Sequence, residues 1–99
     1  MKAYWIAHVD VNDPQQYAEY TARAPQAFAR YGARFLARGG RAVALEGGAT
    51  PQRSVVIEFD SYEQALACYR SAEYQEACRH RQGVAQVQVV IVEGLAPGA

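Results

Sequence analysis

The sequence predicts a single α+β domain of strand–helix–strand–strand–helix–strand order. Three observations carry this. Four short runs alternate apolar and polar residues at the two-residue period of a strand. Between the first and second run, and again between the third and fourth, lie stretches with the three- and four-residue spacing of an amphipathic helix. The chain of 99 residues has room for one hydrophobic core and not two.

Lys2 to Val11 reads as the first strand, with Trp5, Ala7, Val9 and Val11 on one face and Tyr4, Ile6, His8 and Asp10 on the other. Asn12-Asp13-Pro14 then starts a helix. Asp13 can accept from the free N–H groups, Pro14 suits the first helical position, and Gln16 completes a capping-box pattern. Tyr17, Tyr20, Ala24, Ala27, Phe28 and Tyr31 form its apolar stripe and are expected core. Pro25 predicts a kink or short break, because it removes a backbone donor and crowds the preceding turn. Gly32 predicts the helix end.

Ala33 to Arg38 is the second expected strand, alternating Arg34, Leu36 and Arg38 against Phe35 and Ala37. Gly39-Gly40 predicts a bulge, with Arg41 to Glu46 continuing the strand and Gly47 to Pro51 forming a loop. Arg53 to Asp60 is the third strand, placing Val55, Ile57 and Phe59 opposite Val56, Glu58 and Asp60. Ser61 caps a second helix with the stripe Ala65, Leu66, Tyr69, and Ser71 restarts the cap for a further short turn carrying Tyr74, Ala77 and Cys78. After Gly83, Gln86 to Glu93 is the last strand. The domain is expected over residues 1–95, with residues 96–99 as a flexible tail.

Right-handed crossovers arrange this order as a four-stranded antiparallel sheet with the helices on one face, the ferredoxin-like fold, and the expected strand order is 4-1-3-2. Two helices cover one face only. The other carries Ile6, Leu36, Val56, Val90 and Val92 among polar groups, more apolar surface than a monomer usually leaves in water. A homodimer closed through the sheet face, a dimeric α/β barrel, resolves this.

Composition limits function. Ten basic and ten acidic residues give zero net charge, whereas nucleic-acid binders need a basic excess to neutralise phosphate. An RNA-binding sheet would also need exposed aromatics on its third strand, and Phe59 points toward the helices. No apolar run is long enough to span a bilayer and no cleavable signal is recognisable, so a cytoplasmic protein with no membrane partner is expected. Cys68 and Cys78, ten apart, match no zinc or redox spacing and read as reduced thiols. With His8 and His80 the only histidines, no metal site and no cofactor is expected.

The polar residues of the uncovered face form the candidate site. His8 and Glu58 are the candidate acid–base pair, since a neighbouring carboxylate holds imidazole near a useful pKa. Tyr4, Arg38, Gln86 and Gln88 are the candidate ligand-binding residues, Arg38 gripping an anion with its planar fork. The competing reading makes the same groups interface contacts, with Glu58 and Arg38 paired to fix register. The expected function is small-molecule binding, with cofactor-independent catalysis on a small organic acid or aromatic compound as its enzymatic form. A non-catalytic homodimeric structural or regulatory module is the alternative. Whether the domain is an enzyme stays open on these residues.

Several stretches together carry a family resemblance. They are Tyr4-Trp5-Ile6-Ala7, Asp13-Pro14 with Tyr17 and Tyr20, Tyr31-Gly32, Arg38-Gly39-Gly40, Leu45-Glu46-Gly47, Arg53, Ile57-Glu58-Phe59, Tyr69 with Ser71, Glu73-Tyr74 and Val92-Glu93-Gly94. The ordered set, spanning residues 2 to 95, resembles the family called domain of unknown function 1330. The resemblance implies a dimeric α/β barrel on the ferredoxin-like fold, with fold similarity to cofactor-independent monooxygenases. It implies no established reaction, substrate or catalytic residue.

Overall fold

The computed structural model describes residues 1–98. Its elements are β1 (Ala3–Val11), α1 (Pro14–Arg30), β2 (Arg34–Arg38), β3 (Arg53–Phe59), α2 (Tyr62–Arg70), α3 (Ala72–Arg79) and β4 (Ala85–Glu93). They form one antiparallel sheet of order β2-β3-β1-β4, so the sequence-derived order and the ferredoxin-like α+β class hold. Among the described residues no helix is long and apolar enough to cross a membrane.

The helix boundaries follow local chemistry. Asp13 accepts from the Gln16 N–H at 3.2 Å at the start of α1. At its other end Gly32 takes φ +69°, while the Gly32 N–H reaches Ala29 O and the Ala33 N–H reaches Phe28 O, both at 3.1 Å. This is the paired closure that satisfies a helix's last carbonyls, and it favours a residue without Cβ. Ser71 serves both short helices: its Oγ donates to Cys68 O at 2.7 Å and accepts from the Tyr74 N–H at 3.1 Å. Ser61 caps α2 through the Gln64 N–H at 3.0 Å. The Gln64 side chain donates to Tyr31 O, tying the start of α2 to the end of α1.

Two expectations are corrected. The helix α1 runs unbroken through Pro25, whose missing N–H leaves the Thr21 carbonyl without its usual helical donor. Residues Arg41 to Glu46 form no strand. Gly39, at φ +71°, turns the chain, and its N–H makes the last bond to β3, to Ser54 O at 2.9 Å. Beyond it no strand lies alongside, and the loop closes on itself through the Ala44 N–H and Thr50 Oγ1 at 2.9 Å.

The core lies between sheet and helices around Trp5, which is 1% exposed. Phe28 and Tyr74 meet its ring edge-on at centroid distances of 5.0 Å each, and Phe59 stacks at 6.0 Å. Such pairs add to the burial of the rings themselves. Residues Gly94 to Gly98 contain no helix or strand. The expectation of a flexible tail, where it concerns residue 99, falls outside the described residues.

Candidate functional site

The sheet face away from the helices carries five of the six sequence-predicted site residues: Tyr4, His8, Glu58, Gln86 and Gln88. Register decides which meet. Tyr4 stands opposite Glu58, and His8 stands opposite Ser54 on β3 and Gln88 on β4, while Gln86 faces Asp10. His8 and Glu58 are thus four residues apart along the ladder, roughly 13 Å, and do not form the expected pair. His8 Nδ1 instead lies 3.0 Å from Ser54 Oγ.

Glu58 is occupied otherwise. Arg34 Nε donates to its Oε1 at 2.9 Å and the Tyr4 hydroxyl to its Oε2 at 3.2 Å. Arg34 also reaches Asp60 at 3.0 Å, as does Lys2. The hydrogen bond from Arg34, aided by that from Tyr4, holds the Glu58 carboxyl below its ordinary range. The same bond to Glu58 holds the Tyr4 phenol above its own. The ion pair expected between Glu58 and Arg38 is therefore made by Arg34, fixing β2 against β3.

Arg38 lies on the other face. Arg34 and Phe35 pair with Glu58 and Ile57, but Ala37, not Leu36, stands opposite Val56 and Arg38 opposite Val55. This bulge adds one residue to β2 and reverses the alternation beyond it. Arg38 consequently joins Phe35 on the helix side, its guanidinium carbon 4.0 Å above the Phe35 ring. The sequence placed the irregularity at Gly39-Gly40, too late to reverse Arg38.

That side holds a cleft of about 80 Å³ between sheet, α1 and α3. Trp5, Phe28, Phe35, Val55 and Val87 line it, together with Thr21, Pro25, Tyr17, Tyr20 and Tyr74. Three arginines, Arg38, Arg53 and Arg81, also line it, and its described lining contains no carboxylate and no histidine. None of these three makes a salt bridge among the described residues, nor do Arg41 and Arg70 outside the cleft, whereas Arg23, Arg30, Arg34 and Arg79 each do. The Arg81 guanidinium carbon sits 4.8 Å from the Tyr20 ring centre and 5.7 Å from that of Tyr74. The two phenols share a 2.7 Å hydrogen bond. Burial pushes the Tyr20 phenol up to about 12, and pushes those of Tyr17 and Tyr74 above the ordinary tyrosine range, so all three stay protonated at neutral pH.

Glycine shapes the cleft's edge. A Cβ on Gly39 would come within 2.7 Å of Arg53 Nη1, so only a bare backbone lets Arg53 lie where it does. A second groove, of about 320 Å³, shares Arg81, Val87 and Val89 with the cleft and is otherwise lined by Tyr62, Leu66, Tyr69 and Ile91. Sequence reasoning missed Arg53, Arg81 and the tyrosines as site residues. The available signal was tyrosine in place of phenylalanine on buried stripes, together with arginine at an inward strand position, since Arg53 shares its face with Val55 and Ile57. Among the described residues no three His, Cys, Asp or Glu side chains are grouped to hold a metal ion.

The family model described as Domain of unknown function (DUF1330) matches residues 2–95. No curated protein matches the chain. A protein of unknown function from Rhodopseudomonas palustris is similar in structure at a TM-score of 0.78 and 19% identity, over 97% of this chain and 84% of that one. SnoaB, a cofactor-independent oxygenase from Streptomyces nogalater, gives a TM-score of 0.66 at 9% identity, covering 96% and 94% of the two chains. A dimeric protein of unknown function and ferredoxin-like fold from Bacteroides fragilis gives 0.56 at 13% identity, covering 94% and 96%. At these identities the likeness is one of fold.

Proposed function

This chain belongs to the domain of unknown function 1330 family, and from that footing we propose that it binds a small organic anion, a carboxylic acid or an aromatic compound with an ionised group, in the helix-side cleft. One observation carries the reading. A chain of zero net charge gathers three arginines, without carboxylate partners among the described residues, around an aromatic pocket whose described lining holds no negative group. Arginine is permanently charged, and its fork matches a carboxylate. Gathering three with no partner is unfavourable by mutual repulsion, and a bound anion relieves it. Cofactor-independent catalysis on such a ligand is the enzymatic form of the proposal, and the shared fold with SnoaB supports it.

The test uses Trp5, the chain's one tryptophan, which lines the cleft. Titration with benzoate should change its fluorescence saturably, and benzamide, equal in shape but neutral, should bind roughly 10- to 150-fold more weakly, as expected for losing a charged hydrogen bond. Equal binding of the two would refute the charge argument. Replacing Arg53 with Gln should weaken benzoate binding similarly.

A homodimer through the outer sheet face is a second, compatible reading. Leu36, Val90 and Val92 are 56%, 47% and 45% exposed there, and Val43 and Leu45 on the loop after β2 are 71% and 86% exposed. Under this reading Tyr4, His8, Glu58, Gln86 and Gln88 meet a second copy instead of a ligand. The dimeric B. fragilis protein of similar fold supports it. Light scattering after size-exclusion chromatography should give twice the chain mass at tens of micromolar, falling to one chain mass when Val90 and Val92 are both replaced by Asp. A monomeric native chain would refute it.

A further inference from the structure

We propose that the cleft and its neighbouring groove form one elongated site for an amphipathic acid, its carboxylate among the arginines and its apolar body over β4 beneath α2. The inference rests on the anion-binding reading above and names the ligand class. Four observations support it. The cleft by itself, at about 80 Å³, falls well below the roughly 300–1,000 Å³ usual for small-molecule sites, while the adjoining groove, at about 320 Å³, reaches that range. The two share Arg81, Val87 and Val89, so they adjoin one another along one face of β4. Their chemistry differs. The first gathers Arg38, Arg53 and Arg81, while the second is apolar and aromatic apart from Arg81. Finally, no carboxylate of the described residues holds Arg81, which rests on the faces of Tyr20 and Tyr74, leaving its N–H edges for a ligand's oxygens.

Arg81 thereby marks where the ligand's charge lies. A neutral head there would leave a half-buried cation unanswered, and a second charge at the far end would face Leu66 and Ile91 with no partner. A single terminal carboxylate on an apolar body satisfies both ends. Straight-chain and aryl-terminated alkanoic acids fit this description, and a dicarboxylate does not.

The test is a chain-length series on the unaltered protein, following Trp5 fluorescence with butyrate, hexanoate and octanoate below their micelle concentrations. Each methylene that enters the groove should tighten binding roughly fourfold, about 250-fold from butyrate to octanoate if all four are buried. Suberate, an eight-carbon diacid, should bind at least tenfold more weakly than octanoate. Leu66→Phe, which fills the half-exposed groove wall and leaves Trp5 the one tryptophan, should flatten the series, with circular dichroism confirming the fold. If butyrate and octanoate bind equally, the elongated site is overturned and the anion cleft stands. If no carboxylate binds, both fall. If octanol binds as tightly as octanoate, the arginine anchor is overturned.

Discussion

Removing either hydroxyl of the Tyr20–Tyr74 pair should destabilise the domain, and removing both should cost less than the worse single change. The pair shares a 2.7 Å hydrogen bond, and no buried side-chain polar atom of the described residues lacks a partner. Tyr74 is fully buried at 0% exposure, while Tyr20 retains 8%. Tyr20→Phe therefore strands a hydroxyl that water cannot reach, and the cost should lie toward the upper part of about 1–3 kcal/mol. Tyr74→Phe strands the hydroxyl of the less buried Tyr20, where water can replace the lost partner, so about 1 kcal/mol is expected. The double variant leaves no orphan. Its cost should fall below that of Tyr20→Phe alone, giving a coupling of at least ~1 kcal/mol. Urea unfolding monitored by Trp5, at fixed protein concentration and neutral pH, measures this. For a chain of this length each kcal/mol corresponds to about 4–8 °C in melting temperature. Additive single changes, with coupling under ~0.5 kcal/mol, would show that water fills the gap and would refute the account of a sealed pair.

Gly39→Ala should lower stability by about 1–2 kcal/mol, because φ of +71° is unfavourable for a residue with Cβ. It should also weaken benzoate binding, since the added carbon displaces Arg53; a melting curve paired with the titration separates the two effects. Acid should weaken the fold partly through the outer-face carboxylates. Hydrogen bonds hold the Glu58 and Asp60 carboxyls below their ordinary range, from Arg34 and Tyr4 to Glu58 and from Lys2 and Arg34 to Asp60. Their contribution is complete above the unfolded-state pKa and is lost as pH falls through the lower folded values. Glu58→Gln should consequently flatten the fall in stability below about pH 4.3, and an unchanged acid profile would contradict the assignment. Cys68, fully buried with its thiol pushed up to about 12 by burial, should resist iodoacetamide at pH 8 in the native protein and react after unfolding, as peptide mass spectrometry would reveal.

The helices and their ends were legible in the chain because the forces that set them are local. Asp13-Pro14, Gly32, Ser61 and Ser71 each satisfy or release backbone groups within a few residues, and the structure uses each as the pattern implies. Alternation in β1, β3 and β4 likewise assigned the inner and outer faces correctly, since side-chain direction along a strand depends only on position. What joins strands was not legible. The pairing of Tyr4, rather than His8, with Glu58 is a register between chain segments 54 residues apart. The bulge at Leu36 likewise exists only in the pairing of β2 with β3. That one unpaired residue sent Arg38 through the sheet, from a cluster with Glu58 to a cleft with Arg53 and Arg81. The sequence by itself determined the layers, the caps and the uncovered face, because periodicity and capping act along the chain. Tertiary structure alone decided where the positive charges converge, because charges from β2, β3 and the turn after α3 meet only once the strands have chosen their register.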